Sequence, residues 1–187
     1  MKLILGSASP RRLEILQQAH IVPDKITPAN IDETPKAREL PLHYCERIAL
    51  EKANAISINK NEIILTADTT VAIGRRIMGK PHNSEEAIKF LKLLSGRRHK
   101  VITAIVVRNV QDIRKKSVTT DVKFKNLSTS DIDFYIASKE WEGKAGGYAI
   151  QGLGAEFIPW ISGSYSGVVG LPIAQTMVLL KSLGWKP

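Results

Sequence analysis

The opening segment of this chain constrains its fold more than any other. A short apolar run, Lys2-Leu-Ile-Leu5, ends in Gly6-Ser-Ala-Ser-Pro10, a turn built of small residues. Pro10 suits the first position of a helix, and apolar residues recur every three positions behind it, from Leu13 to Ala19. A strand, a tight loop and a helix therefore follow one another directly, and this unit is typical of α/β proteins.

The remaining sequence alternates between helical and strand patterns. Helices are predicted from Leu42 to about Ile58 and after Asn83, Ser128 and Pro172; strands are predicted over 62–66, 101–107, 118–124, 148–150 and 156–161. A hairpin is predicted to turn at Gly74-Arg-Arg76. Because no repeat or linker interrupts this alternation, we expect one domain, residues 1–187, with a mixed twisted sheet flanked by helices.

The cysteine content and the hydropathy exclude several classes of protein. Cys45 is the only cysteine, which excludes an intramolecular disulfide framework and a multi-cysteine zinc site. No apolar stretch approaches the roughly 18 residues of a membrane span, and the run Leu3–Leu5 is too short for the core of a signal peptide. We therefore expect a cytoplasmic protein without a membrane partner.

The chain is basic, with 27 Lys and Arg against 18 Asp and Glu and a formal net charge of +9. Charge alone leaves nucleic acid, a membrane surface, a phosphorylated small molecule or a merely solvated basic surface open. The basic pairs are scattered from Arg11-Arg12 to Lys115-Lys116, and no segment interleaves basic with aromatic residues. This distribution weakens the nucleic-acid interpretation, and we expect no stable nucleic-acid partner.

Arg11 and Arg12 fall in the first turn of the predicted first helix. Cations there oppose the helix dipole, whereas the exposed N–H groups of the loop before it favour an anion. The pair is explained by a bound phosphate or a nearby carboxylate, or is simply solvated.

Lys52 and Asp68 are the other charged residues in unusual places. Lys52 interrupts the apolar stripe of the second helix, so its ammonium either extends to the surface or faces a cleft that holds a polyphosphate. Asp68 is predicted just past the strand 62–66, at the sheet edge where α/β proteins bind ligands, although an Asp in such a place more commonly forms a turn. With Asp32 and Glu33 in a polar loop, carboxylates for a hard divalent cation are available.

The segment Gly74–Lys80 has the spacing of a phosphate-binding P-loop, but the match is rejected. Pro81 stands where that motif needs Ser or Thr, and the segment is predicted as a hairpin. Lys80 can still contact phosphate through another geometry.

Several segments in order resemble the Maf family of nucleoside triphosphate pyrophosphatases, over nearly the whole chain. They are Gly6–Arg12, Ile31-Asp-Glu33, Glu51-Lys-Ala53, Ala67-Asp-Thr69, Gly79-Lys-Pro81, Leu94-Ser-Gly-Arg97, Ala145-Gly-Gly-Tyr-Ala-Ile-Gln-Gly152 and Gly163-Ser-Tyr-Ser-Gly-Val-Val-Gly-Leu-Pro172. The last two are similar to the branch that acts on dTTP and UTP. Departures are Thr66 and Ala104, where glycines are usual, and Gly167, where asparagine is common.

The resemblance implies a fold related to the inosine triphosphate pyrophosphatases, with an active-site cleft across the sheet. It further implies hydrolysis of a nucleoside triphosphate to the monophosphate and pyrophosphate with a divalent metal cation, Mg or Mn, and makes a homodimer a reasonable expectation. The alternatives are a non-catalytic basic regulator of cell division, a nucleic-acid binder, and a pyrophosphatase for purine or 7-methyl-GTP nucleotides.

The same resemblance assigns roles to individual residues. Asp68 is the expected general base, and Glu33 with Asp68 is the expected pair of metal ligands. The triphosphate is expected to be held by Ser7, Arg11, Arg12, Lys52 and Lys80, and the pyrimidine edge to be recognised by Thr69 and Gln151.

Overall fold

The computed structural model describes residues 1–186. Its helices are α1 (Pro10–Gln18), α2 (Pro41–Ala55), α3 (Ser84–Leu94), α4 (Thr129–Ala137), α5 (Tyr165–Val169) and α6 (Ile173–Ser182). Its strands are β1 (Lys2–Leu5), β2 (Lys25–Ile26), β3 (Glu62–Ile73), β4 (Arg76–Met78), β5 (Arg98–Arg108), β6 (Ile113–Lys123) and β7 (Trp160–Ser162). Two short 3-10 helices cover Ala145–Gly147 and Leu153–Phe157.

The strands form one mixed sheet in the order β2-β1-β3-β5-β6-β7, with β4 added to the end of β3. The strand β1 pairs in parallel with β2 and β3, whereas all pairs from β3 through β5 and β6 to β7 are antiparallel. The α/β class with a mixed sheet, expected from the sequence, is confirmed.

Strand β3 is longer than predicted, and this corrects the placement of Asp68. The strand runs without interruption from Glu62 to Ile73, so Asp68 lies in its middle, opposite Ala104 of β5. On its other edge, β3 pairs with β1 only as far as Leu65, and with β4 only from Val71 onward. Continuous pairing with β5 keeps the strand extended, while the gap between β1 and β4 leaves one edge of β3 accessible beside Asp68.

The two faces of the sheet carry different layers. Helix α2 packs Cys45, Ala49 and Ala53 against Ile102, Ala104 and Val106 of β5. The opposite face carries α1, α3, α4 and α6, with Ile105 and Val107 in the largest apolar cluster. Because side chains alternate along a strand, consecutive residues of β3 face different layers.

Other boundaries differ locally from the prediction. Helix α2 ends at Ala55 because Ile56 has an extended backbone, and the strand predicted over 156–161 is reduced to Trp160–Ser162. The prediction of a strand over 148–150 is wrong, because this segment lies between glycines with positive φ at 147 and 152 that bend the chain. The predicted helix caps Asn83 and Ser128 are confirmed, Ser128 within a capping box.

Among residues 1–186, none of the helices is both long enough and apolar enough to cross a lipid bilayer.

Candidate active site

A cleft of about 650 Å³ opens at the gap in the edge of β3. It is lined by the loop after β1, by the middle of β3, by the hairpin end at Gly79 and Lys80, and by two loops from the C-terminal third. All the residues predicted for the site lie along this one cleft: Ser7, Arg11, Arg12, Glu33, Lys52, Asp68, Thr69, Lys80 and Gln151. The fold thus brings together residues that are far apart in the sequence.

Lys52 faces the cleft and does not extend to the surface. Its ammonium lies 2.9 Å from Asp68 Oδ1 and 2.9 Å from Glu33 Oε1, and the residue is only 9% exposed. The position of Lys52 on the apolar stripe of α2 is what directs it here, because that stripe packs on the sheet face to which Asp68 points. One cation therefore bridges two carboxylates.

The second oxygen of the Asp68 carboxylate accepts a hydrogen bond from Thr70 Oγ1 at 3.2 Å. Thr70 and Asp68 are two residues apart and therefore share one face of β3. On the same side, burial raises the pKa of the Tyr44 phenol, and the carboxylates of Asp68 and Glu33 raise it further. Asp68 is consequently a fixed, nearly buried acceptor with a phenol, a hydroxyl and an ammonium around it.

Arg12 is buried, and its guanidinium is bonded within the protein. Nη1 donates to Ser7 Oγ at 2.9 Å, Nε donates to Gly170 O at 2.9 Å, and Nη2 donates to Thr69 Oγ1 at 3.3 Å. Burial lowers the pKa of this guanidinium, and the carboxylate of Asp68 opposes that effect. Arg12 therefore ties the Ser7 loop to the turn that ends at Gly170.

Arg11, by contrast, is half-buried at the cleft wall, where its positive charge acts on the ammonium group of Lys144. Burial lowers the pKa of Arg11, and burial followed by repulsion from Arg11 lowers the pKa of Lys144. Together with Lys80, these residues give the cleft three cationic side chains besides Lys52 and Arg12. An anion bound between them would offset the repulsion between the cations and the cost of their burial.

Lys144 was missed by the sequence reasoning, as were Tyr44, Thr70, His82 and Tyr148, which also line the cleft. Lys144 directly precedes the glycine-rich motif that begins at Ala145, so its position next to a recognised motif was an available signal. Tyr148 lies within that motif and was assigned to a strand. His82 directly follows the recognised segment Gly79-Lys-Pro81 and had the same signal, whereas Tyr44 had none, because only the tertiary fold brings it to the cleft.

The opposite wall of the cleft is made by Thr69 and the turn from Gly163 to Gly170. Thr69 Oγ1 lies 3.0 Å from Thr103 Oγ1, and Thr103 Oγ1 donates to Gly167 O at 2.7 Å. These bonds attach the glycine-rich turn to β3 and β5. Gln151 lines the cleft beside this wall.

Thr66, one of the departures from the family pattern, is accommodated away from the cleft. Its hydroxyl donates to Ala49 O of α2 at 2.8 Å, and its methyl group lies against Gly6. A Cβ at Gly6 would come within 2.5 Å of the Thr66 methyl group. Thr66, together with Ile56, whose Cδ1 would lie 2.6 Å from that Cβ, therefore leaves room only for glycine at the start of the Ser7 loop.

The carboxylates of the cleft are suited to a divalent cation. Residues 1–186 contain no group of three or more His, Cys, Asp or Glu side chains that could enclose a metal by themselves. Glu33 and Asp68 nevertheless converge on one cation, the Lys52 ammonium. Magnesium commonly uses one or two carboxylates and completes its ligands with water and substrate phosphates, so this pair fits such a site.

Comparison with known proteins identifies the family of this chain. The family described as Maf-like protein matches residues 2–183. The chain belongs to the Maf family. Maf relatives named dTTP/UTP pyrophosphatase include proteins from Cereibacter sphaeroides, 56% identical over 98% of this chain and 96% of the relative, and from Caulobacter vibrioides, 46% identical over 99% and 97%.

The Maf fold observed here also resembles a solved structure outside this group of relatives. A HAM1 protein from Coxiella burnetii matches 97% of this chain and 99% of its own, with a TM-score of 0.52 and 17% sequence identity. At that identity the likeness concerns the fold alone.

Proposed function

We propose that this Maf protein hydrolyses nucleoside triphosphates, foremost dTTP and UTP, to the monophosphate and pyrophosphate. The names of its relatives support the substrate. The observation that carries the chemistry is the Asp68 carboxylate, held by Lys52 and Thr70 in a cleft whose remaining charged side chains are mainly cationic. A base and an anion-binding wall in one cavity suit hydrolysis of a polyphosphate.

In this proposal Asp68 is the general base. A water beside its carboxylate attacks the α-phosphorus, the proton of that water passes to Asp68, and the bond from the α-phosphorus to the bridging oxygen breaks. Pyrophosphate leaves with that oxygen, and the monophosphate keeps the new one. Lys52 fixes the carboxylate and opposes the negative charge that develops on the phosphoryl oxygens.

The triphosphate is held in this proposal by Ser7, Arg11, Lys52 and Lys80, with Lys144 as an additional cation. Arg12 lines the same cleft and also contacts the triphosphate in this proposal, through guanidinium N–H groups that are not bonded to Ser7, Thr69 or Gly170, while its other donors fix the Ser7 loop against Gly170. Thr69 and Gln151 contact the pyrimidine. The amide of Gln151 can both donate and accept, as a base edge with both kinds of group requires.

A divalent cation, Mg or Mn, would be held by Glu33 and Asp68. When bound, such a cation lowers the pKa of a coordinated water and neutralises part of the phosphate charge. Both carboxylates already face a cation in the structure, which is the observation that supports this assignment.

The test is release of pyrophosphate from a panel of dTTP, UTP, dCTP, dGTP and 7-methyl-GTP, each with and without magnesium or manganese. We expect metal-dependent release that is fastest with dTTP and UTP. Fastest release from 7-methyl-GTP or dGTP would replace the pyrimidine assignment by a purine one. No release from any nucleotide, with salt-sensitive binding to duplex DNA, would favour the non-catalytic alternative.

A further inference from the structure

The carboxylate of Glu140 accepts hydrogen bonds from the backbone shortly after Gln151. Leu153 N–H donates to Glu140 Oε2 at 2.9 Å, and Gly154 N–H donates to Glu140 Oε1 at 3.1 Å. Both oxygens of one side chain are thus used by consecutive backbone donors. Hydrogen bonds to a charged acceptor are roughly twice as strong as neutral ones, so this is a firm attachment.

The phenol oxygen of Tyr135 accepts a hydrogen bond from the backbone shortly before Gln151. Ala149 N–H donates to Tyr135 Oη at 3.1 Å, and Tyr135 Oη donates to Glu140 Oε1 at 3.4 Å. Tyr135 lies on α4 and is fully buried. The attachments before and after Gln151 therefore belong to one hydrogen-bonded pair, Tyr135 with Glu140.

Gly152 shows how closely the chain passes over this pair. Its φ of 138° is a conformation that L side chains rarely adopt, and a Cβ at this position would clash with the Glu140 carboxylate. The backbone at Gly152 therefore lies directly against the Glu140 carboxylate, in a conformation that favours glycine.

We infer that Glu140 is a positioning residue for nucleobase selection: with Tyr135 it holds Ala149–Gly154 so that Gln151 faces the nucleobase, an inference that rests on the proposed function. Gln151 lines the cleft, whereas Glu140 lies outside the residues that line it. Glu140 consequently acts through Gln151 and does not touch the substrate. Its removal changes the discrimination between bases, because a released Gln151 offers its amide in several orientations.

The experiment is a double-mutant cycle on the full chain with Glu140→Ala and Gln151→Ala. The measured quantity is the ratio of kcat/KM for dTTP to that for dCTP. We expect Glu140→Ala to lower this ratio about tenfold in the wild-type background, and less than about twofold when Gln151 is already alanine. Tyr135→Phe, which keeps the ring and removes only the hydroxyl, is expected to lower the ratio in the same direction but less.

Asp133→Ala is the matched control, because it removes an exposed carboxylate from the same helix as Tyr135; its ratio should equal that of the wild type. Glu140→Gln keeps the size of the side chain and one acceptor oxygen, so it should recover part of the ratio. A lower melting temperature with an unchanged ratio in Glu140→Ala would show a purely structural role and overturn the inference. An equal change in both backgrounds would overturn it as well.

Calorimetric binding of dTMP and dCMP separates this inference from the proposed function. A wild type that binds dTMP more tightly but releases no pyrophosphate contradicts the proposed hydrolysis, and the same variants then test Glu140 through the ratio of dissociation constants. A wild type that hydrolyses every base equally contradicts the inference and leaves hydrolysis standing. A wild type that neither binds nor hydrolyses nucleotides overturns both.

Discussion

The two walls of the cleft are built in different ways. The charged wall places Lys52 on helix α2 and Asp68 in the middle of strand β3, so its side chains project from regular elements. The opposite wall, called the loop wall below, consists of the glycine-rich segments 145–154 and 163–170, the second of which includes the short helix α5; their glycines adopt positive φ at several positions. Lys52 and Asp68, which are assigned to bond cleavage, lie on regular elements, whereas Gln151, which is assigned to base selection, lies in the segment 145–154 and is joined there by Thr69 of β3.

The alternation of side chains along β3 separates these walls. Asp68 faces α2 and meets Lys52, whereas Thr69, the next residue, faces the other layer and meets Arg12 and Thr103. The unpaired stretch of β3 between β1 and β4 makes both faces accessible from one cleft. A single strand thus supplies adjacent residues to two sites of different construction, and changes to each wall should have different consequences.

The largest effect is expected from the charged wall, for Lys52→Met. This change keeps the unbranched side chain up to the Cε position but leaves the nearly buried Asp68 beside Glu33 without their cation, which should destabilise the protein by about 3 kcal/mol. Urea unfolding measures the loss. Lys100→Met is the matched control, because the pair Lys100–Asp121 is largely exposed and should matter far less. Equal losses in both variants would show that burial of the Lys52 pair contributes nothing.

Asp68→Asn tests the chemistry of the same wall. The amide cannot accept the proton of the attacking water, so turnover of dTTP should fall by at least about 100-fold while the melting temperature changes little. Pyrophosphate release under saturating substrate is the measurement. Turnover like that of the wild type would remove Asp68 from the mechanism.

The pH dependence of stability tests the burial of His99, which contacts Tyr148 in the loop wall. Its Nε2 lies 2.7 Å from Tyr148 Oη, and burial lowers the pKa of His99 to about 4, slightly opposed by Asp121. Between the ordinary pKa near 6.5 and pH 4, the unfolded chain binds a proton that the folded protein excludes. Stability from this group is therefore fully present above the ordinary pKa and is lost as pH falls through that window, by about 2 kcal/mol between about pH 7 and pH 5.

The comparison of wild type with His99→Gln isolates this contribution, since carboxylates titrate in both proteins. Urea unfolding at the two pH values should show a smaller decrease for the variant. Parallel decreases would mean that His99 is not held neutral in the folded protein.

The smallest effect is expected from Gln151→Ala, on the loop wall. The ratio of kcat/KM for dTTP to that for dCTP should fall about tenfold, while kcat for dTTP changes less. Gln17→Ala, an exposed glutamine on α1, is the control. If kcat falls equally for every nucleotide, Gln151 belongs to the chemistry and the division between the walls fails.

Much of the charged wall could be predicted from the sequence. The Ser7 loop, the start of α1 and the odd position of Lys52 on an apolar stripe are all local signals, because strand, turn and helix patterns depend on nearby residues. Asp68 was predicted as a site residue, but its predicted position just past the end of the strand was wrong. The end of a strand depends on which partners pair with it, and β5 extends beyond β1.

The loop wall could be predicted only as a set of motif residues. The strand predicted at 148–150 is absent because glycines bend the chain on both sides of it. Glu140 and Tyr135 then hold the bent chain through bonds to 149–154, between residues that no periodicity connects. Lys144 and Tyr44 entered the cleft in the same way, through packing of distant segments.

The amino-acid sequence alone determined the α/β class, most helix starts and the identity of the charged residues, because side-chain periodicity and capping chemistry act over a few neighbouring positions. Only the tertiary structure decided that the parallel pairing of β3 stops at Leu65, that Lys52 bridges Glu33 and Asp68, and that Arg12 is bonded within the protein. Those outcomes depend on strand lengths and helix packing between distant segments, which no local pattern contains.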